Sequence, residues 1–261
     1  FNSSLMSAIE SDSVLRNFKM IAEPWDISRY SLGDFPHPWR EWNDRYRDSV
    51  RQFWLDDLAR GYGEGVADIA AGISGSSDIF YYRGPTSSIN FVTAHDGFTL
   101  SDLTMYSQKR NEANQEENRD GSNENRSWNM GVEGPSDDPA IKANRLSLKK
   151  SMMATLMLSA GVPMITMGDE ICRTQHGSNN GYSMPRDMWP GIEDSPETFG
   201  GGWANSWKLS TEEQDMKDAV GELARIRKTY LADVAAEFFT GRVDLGTQRK
   251  DIAWFSLGGH E

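Results

Sequence analysis

Two short apolar runs ending in acids are the strongest chemical signal in the chain. Ile21-Ala-Glu-Pro-Trp-Asp26 presents Glu23, and Phe91-Val-Thr-Ala-His-Asp-Gly-Phe98 presents His95 and Asp96. A carboxyl set among Ile21, Ala22, Pro24 and Trp25 is expected to be partly desolvated, which favours the protonated form a general acid needs. Two carboxylates held over one cleft are what glycoside hydrolysis requires. Each signal also has a plainer reading. A Glu at a strand end is usually a surface carboxylate. A His-Asp pair is more often structural than catalytic, and Asp96 reads equally well as a turn residue before a helix starting at Thr99. The adjoining Gly97 permits close backbone approach.

The surrounding pattern alternates strand and helix, which favours a parallel sheet. Short strands are expected near 19–23, 39–44, 88–94 and 162–167. Helices are expected over 5–18, 48–58, 65–73, 139–160 and 211–230. Pro139 suits a helix start, since its missing N–H has no helical partner there. Gly161 is placed at the end of that helix. Thr211 reads as an N-cap, with Gln214 as its capping-box partner. The polar segment 108–139 is too long for a neutral connection, so it is functional or disordered. From 238 onward, strand-like pieces at 238–243 and 252–257 suggest a second, β-rich unit. The expected division is therefore 1–235, holding the site, and 236–261, the start of that unit.

The 261 residues carry a formal net charge of −12, which argues against nucleic acid, because phosphate binding needs clustered Lys and Arg. No stretch approaches the roughly 20 apolar residues of a membrane span. Cys172 is the single cysteine, so no internal disulfide forms, which suits a reducing compartment. The chain opens on Phe1 and shows no secretory leader, and the expectation is of a cytoplasmic protein seen in part. The acidic loop lacks the regular ligand spacing of an EF-hand, so neither a metal nor a cofactor is expected.

Longer motifs follow the two acid-bearing runs in order. They are Glu41-Trp-Asn-Asp-Arg-Tyr-Arg-Asp48, Gly75-Ser-Ser-Asp78, Asn111-Glu-Ala-Asn114, Asn118-Arg-Asp-Gly121, Ser127-Trp-Asn129, Gly131-Val-Glu-Gly-Pro135, Gly168-Asp-Glu170 and Arg173-Thr-Gln175. From about residue 5 to 182 the chain resembles the isoamylase-type debranching branch of the alpha-amylase superfamily. The resemblance implies an α/β fold, part of a (β/α)8 TIM barrel comprising strands five to eight and their helices. It implies a retaining α-1,6-glucosidase acting on glycogen or branched maltodextrin. Glu23 would be the general acid/base. Asp96 would stabilise the oxocarbenium-like transition state, and His95 would grip the same sugar. Trp25, Asn111, Asn114, Arg119, Trp128, Asp169 and Glu170 would contact the glucan. Trp39, Trp42 and Trp128 read equally well as packing, and Asp169 and Glu170 as capping or salt-bridge residues.

The family's nucleophilic aspartate stands in a Gly-Phe-Arg-Phe-Asp pattern before the acid Glu, and no such pattern precedes Glu23. Gly241-Arg-Val-Asp-Leu245 is read as a decoy. The resemblance fades after Tyr182, where Ser183-Met-Pro-Arg-Asp187 replaces a Cys-Gln-Asp-Asn-like run, and the stretch 199–203 is unlike the family. The chain by itself is expected to lack debranching activity and to expose barrel edges that invite self-association. Alternatives are an α-1,4-acting amylase or transglycosylase of the same superfamily, a non-catalytic glucan-binding fragment, or a stable half-domain without function.

Overall fold

The computed structural model describes residues 3–185, 205, 207–256 and 258–259. The 199–203 stretch, Arg186 and Asp187, and Leu257 at the end of an expected strand lie outside the described residues.

Four strands form one parallel sheet in the order of the chain: β1 (Ile21–Ala22), β2 (Arg40–Asn43), β3 (Ser88–Asn90) and β4 (Val162–Pro163). The register pairs Ile21 with Arg40, Trp42 with Ile89, and Ile89 with Val162. All four expected strands are present, each shorter than expected. Parallel neighbours require crossover connections. The first, 23–39, is helix-free and is closed by a bridge between Trp25 and Tyr30.

The expected helix over 5–18 resolves into α1 (Ser4–Ser11), capped by the Ser3 hydroxyl, and a short 3-10 turn at Leu15–Asn17. The second crossover holds α2 (Asp44–Arg51), α3 (Asp57–Arg60), α4 (Val66–Ile73) and α5 (Ser77–Phe80). A wider π turn, Gln52–Asp56, joins α2 to α3, so the helix expected over 48–58 runs from 44 to 60. It starts where β2 stops because Asn43 serves both. The Asn43 Oδ1 accepts the Tyr46 N–H at 3.0 Å, and its Nδ2 donates to Ser76 and Ser88.

The third crossover runs through the loop 108–138 into α6 (Pro139–Leu158). Asp138 is its N-cap and Pro139 its first residue. Helix α6 ends at an extended Ser159 rather than at Gly161. There Arg227 donates to the carbonyls of Met157, Ser159 and Gly161, engaging acceptors that a helix end leaves free. Helix α7 (Thr211–Ile226) starts at the expected residue, but its N-cap lies one residue earlier than expected. Ser210 is the N-cap and Glu213 its capping-box partner, rather than Thr211 and Gln214.

The core lies where α2, α6 and α7 meet the segment after β3. Tyr46, Val50 and Leu55 pack with Met152, Met153, Leu156, Met216, Phe98, Leu100 and Leu103. Beyond residue 236 the expected strands are not formed among the described residues. A single antiparallel bridge, Val243 to Lys250, takes their place. Among the described residues no helix is long and apolar enough to cross a membrane.

Candidate active site

Glu23 is the first residue past β1, and His95 and Asp96 follow β3. Both strands run the same way in one parallel sheet, so the two acids leave it at the same end, outside the carboxyl ends of the strands. Glu23 is exposed, which corrects the expectation of a desolvated carboxyl. Side chains alternate along a strand. Ala22 and Pro24 are buried, while Ile21 and Glu23 share the open face. Behind Glu23, the Asp26 carboxylate accepts the N–H groups of Ser28 and Arg29 and sets the turn that carries Trp25.

His95 is half-buried between two aromatic rings. Trp42 lies 5.5 Å away and Tyr182 5.9 Å, measured between ring centroids. Asp96 is exposed and borders a cavity of about 460 Å³ whose other walls include Arg47, Arg51, Asn125, Asn179 and Asn180. Arg51 is buried and donates to the carbonyls of Val92 (2.8 Å) and Asn125 (3.3 Å). It thereby ties the strand end to the long loop. Burial pushes its guanidinium down to about 9, with the nearby charge of Arg47 adding to the effect, so it is still charged at neutrality.

The long loop is ordered by amide side chains turned inward. Asn111 is fully buried. Its Nδ2 donates to Asp120 O and Asn179 Oδ1, and its Oδ1 accepts the Asn179 N–H. Asn114 donates to the Asp120 carboxylate at 2.8 Å. Burial pushes that carboxylate up, but the bonds from Asn114 and Asn180 prevail and hold it below the usual range. Asn111 and Asn114 therefore shape the loop, and the expectation that they contact glucan is corrected. Asp169 is fully buried and accepts from Thr93 and Leu100, so it too faces the protein rather than a ligand. Glu170 accepts the Gly168 N–H and closes its own turn. Trp128 packs against the core cluster, and Trp39 pairs with Phe35. Arg119 is exposed beside Glu117.

Asp244, the decoy aspartate, accepts the N–H groups of Gly246 and Thr247 in an exposed turn of the last segment. The residues that sequence reasoning missed are Arg47, Arg51, Asn125, Asn179, Asn180 and Tyr182. Arg47 was inside a quoted motif, and Arg51 lies one helical turn further on, a spacing that puts both on one face. Among the described residues no three His, Cys, Asp or Glu side chains gather as a metal ion would require.

The fold is α/β and shared with pullulanases. The pullulanase from Bacillus acidopullulyticus superposes with a TM-score of 0.56 at 21% identity, over 82% of this chain and 23% of its own. The apo pullulanase from Paenibacillus barengoltzii gives 0.53 at 20% identity, over 80% and 28%. No family model matches the chain.

The sequence relationship is nearer. The glycogen operon protein GlgX homolog of Mycobacterium tuberculosis (strain ATCC 25618 / H37Rv) is 42% identical over 99% of this chain and 34% of its own length. The glycogen debranching enzyme of Enterobacter sp. (strain 638) is 47% identical over 68% and 27%. The chain is thus a homologue of bacterial glycogen debranching proteins, as its ordered motifs led us to expect, and it spans about a third of the length of the relatives it matches.

Proposed function

We propose that this chain carries the acid/base carboxylate and the transition-state-stabilising pair of a retaining α-1,6-glucosidase that trims branches from glycogen or limit dextrin. The observation that carries this reading is the placement of Glu23 and of His95 with Asp96 beyond the carboxyl ends of β1 and β3, at one end of one parallel sheet. Glu23 is open to solvent and free to reach a glycosidic oxygen. It protonates the leaving oxygen, and, once ionised, it activates the water that releases the sugar. Asp96 faces the positive charge that develops on the sugar ring, and His95, braced by Trp42 and Tyr182, donates to a hydroxyl of that ring.

A retaining mechanism needs a nucleophilic carboxylate roughly 5 Å from the acid. We assign it to an aspartate at the end of a fourth strand in the longer protein. In this reading β1 to β4 are strands five to eight of a (β/α)8 barrel, and the edge of β1 away from β2 receives strand four. Residues 236–261 open a β-rich unit, a reading supported by the Val243 to Lys250 bridge. The reaction belongs to cytosolic glycogen breakdown.

The test is release of reducing ends from glycogen by this chain and by the chain extended upstream through strand four. Activity of the extended protein alone, abolished by Glu23→Gln, is expected. Activity of the short chain, or an extended protein indifferent to Glu23→Gln, overturns the assignment.

A further inference from the structure

The loop bearing His95 and Asp96 is fastened at its base by one carboxylate. Asp169 stands in the 3-10 turn just past β4, fully buried. Its Oδ2 accepts the Thr93 hydroxyl, two residues before His95, and its Oδ1 accepts the Leu100 N–H at 3.0 Å, four residues after Asp96. One rigid group therefore grips both stems of the loop 94–99. The tip is held separately: the Gly97 N–H reaches Asn179 O at 2.9 Å, and Gln175 Nε2 reaches Gly97 O at 3.4 Å. A second buried carboxylate, Asp102, takes the Thr99 hydroxyl and the Gln175 N–H, but it fastens only the outgoing stem. The turn that presents Asp169 depends on Gly168, whose φ of +99° suits glycine and whose absent Cβ leaves room for the Arg173 side chain.

We infer that Asp169 is a positioning residue for the catalytic pair: by bridging Thr93 and Leu100 it sets where His95 and Asp96 stand over the substrate. This rests on the proposed glucosidase reading for its kinetic consequence, though not for its structural one. Asp169 touches no part of the cavity beside Asp96, so it acts through the loop and not on the sugar. Burial pushes its carboxyl up to about 6, against the pull of the Thr93 and Leu100 hydrogen bonds and of Arg173, while Glu170 adds to the rise and the charge of Arg51 lies within reach.

Two variants test the inference in the longer, active protein. Asp169→Asn keeps the shape but offers an amide in place of one acceptor, and Thr93→Val removes the hydroxyl at nearly constant volume. A misplacement of about 1 Å remote from the chemistry lowers turnover by up to about 100-fold. Each variant should lower kcat at least about 10-fold with KM nearly unchanged. The double variant should fall no further than the worse single one, since the two act through one bond. Thr93→Ser should restore most of the rate. Amide exchange of 94–100 should quicken in Asp169→Asn while exchange in α6 stays as in the parent.

A raised KM with unchanged kcat would place Asp169 on the substrate and overturn the inference. So would unchanged exchange across 94–100, or additive losses in the double variant. If the unaltered longer protein fails to act on glycogen, the glucosidase reading falls. The exchange comparison then still decides whether Asp169 holds the loop.

Discussion

The indole of Trp42 and the imidazole of His95 lie 5.5 Å apart with their planes inclined by 54°, and the same indole meets Phe91, just past the neighbouring strand, at 5.6 Å. Trp42 thus couples β2 to the segment that carries His95 and Asp96.

Removing that ring should loosen both. Trp42→Ala is expected to destabilise the protein by about 2–3 kcal/mol, less than a full core deletion because the ring is only half-buried. Trp42→Phe, which keeps a flat ring, should cost under about 1.5 kcal/mol. Urea unfolding curves of the two variants check this. Equal losses would mean that the ring contributes little to the packing.

Glu41 stands in the middle of β2 with no exposed surface, and its carboxylate accepts the Gly33 and Phe35 N–H groups and the Arg83 guanidinium. It ties the first crossover to the end of α5. Glu41→Gln leaves Arg83 without its counter-charge in a site where its side chain is only 10% exposed. The expected loss is about 3 kcal/mol, read from the guanidinium chloride midpoint. A double variant, Glu41→Gln with Arg83→Met, should recover part of it.

The long loop should open when its central amide is removed. Around Asn111 the backbone holds Gln115, Glu117 and Asn118 at positive φ, a conformation that non-glycine residues rarely keep unaided. Asn111→Ala removes three of the hydrogen bonds that impose it. Cleavage by a glutamate-specific protease at Glu116 and Glu117 should become at least several-fold faster. Unchanged cleavage would show that the loop is held by other contacts.

Asp169 also predicts a pH dependence of stability. Its folded-state carboxyl titrates near 6, against an ordinary 3.8. A raised carboxyl stabilises the fold fully below the unfolded value and loses that contribution as pH rises through the folded one, on the order of 3 kcal/mol in all. Asp120 and Glu133, both held low by hydrogen bonds that outweigh burial, act in the opposite sense. The informative quantity is therefore the difference between the parent and Asp169→Asn. That difference should favour the parent most near pH 4 and decline to a plateau above about pH 6.5. Melting temperatures across that range give the answer, and a pH-independent difference would contradict the titration.

Much of this was legible in the residues. Three of the four strands were marked by a short apolar run stopped by Pro or Gly, and the acids stood at the ends of two of them. What the residues did not show was direction. The apolar neighbours of Glu23 suggested a sheltered carboxyl, yet alternation along β1 sends Ala22 inward and Glu23 outward. Asn111 and Asn114 looked like ligand contacts because they are polar and lie in a loop. They instead satisfy backbone groups that a long connection would otherwise leave unpaired. At the start of α7 two overlapping pairs, Ser210 with Glu213 and Thr211 with Gln214, fit the same capping pattern. Only the extended backbone of Ser210 selects between them. The strand-like pieces after 236 had the right composition, but composition does not supply a partner to pair with.

The order of strands in the sheet repeats their order in the chain. Each strand is therefore laid beside one already made, and none has to slip between two neighbours. During synthesis β2, β3 and β4 can each join the sheet at its newest edge as the polypeptide emerges. The last strand waits for the loop and for α6, so the bonds from Asn111 and Asn114 to Asp120 can close before Asp169 arrives to fasten the stems of the 94–99 loop.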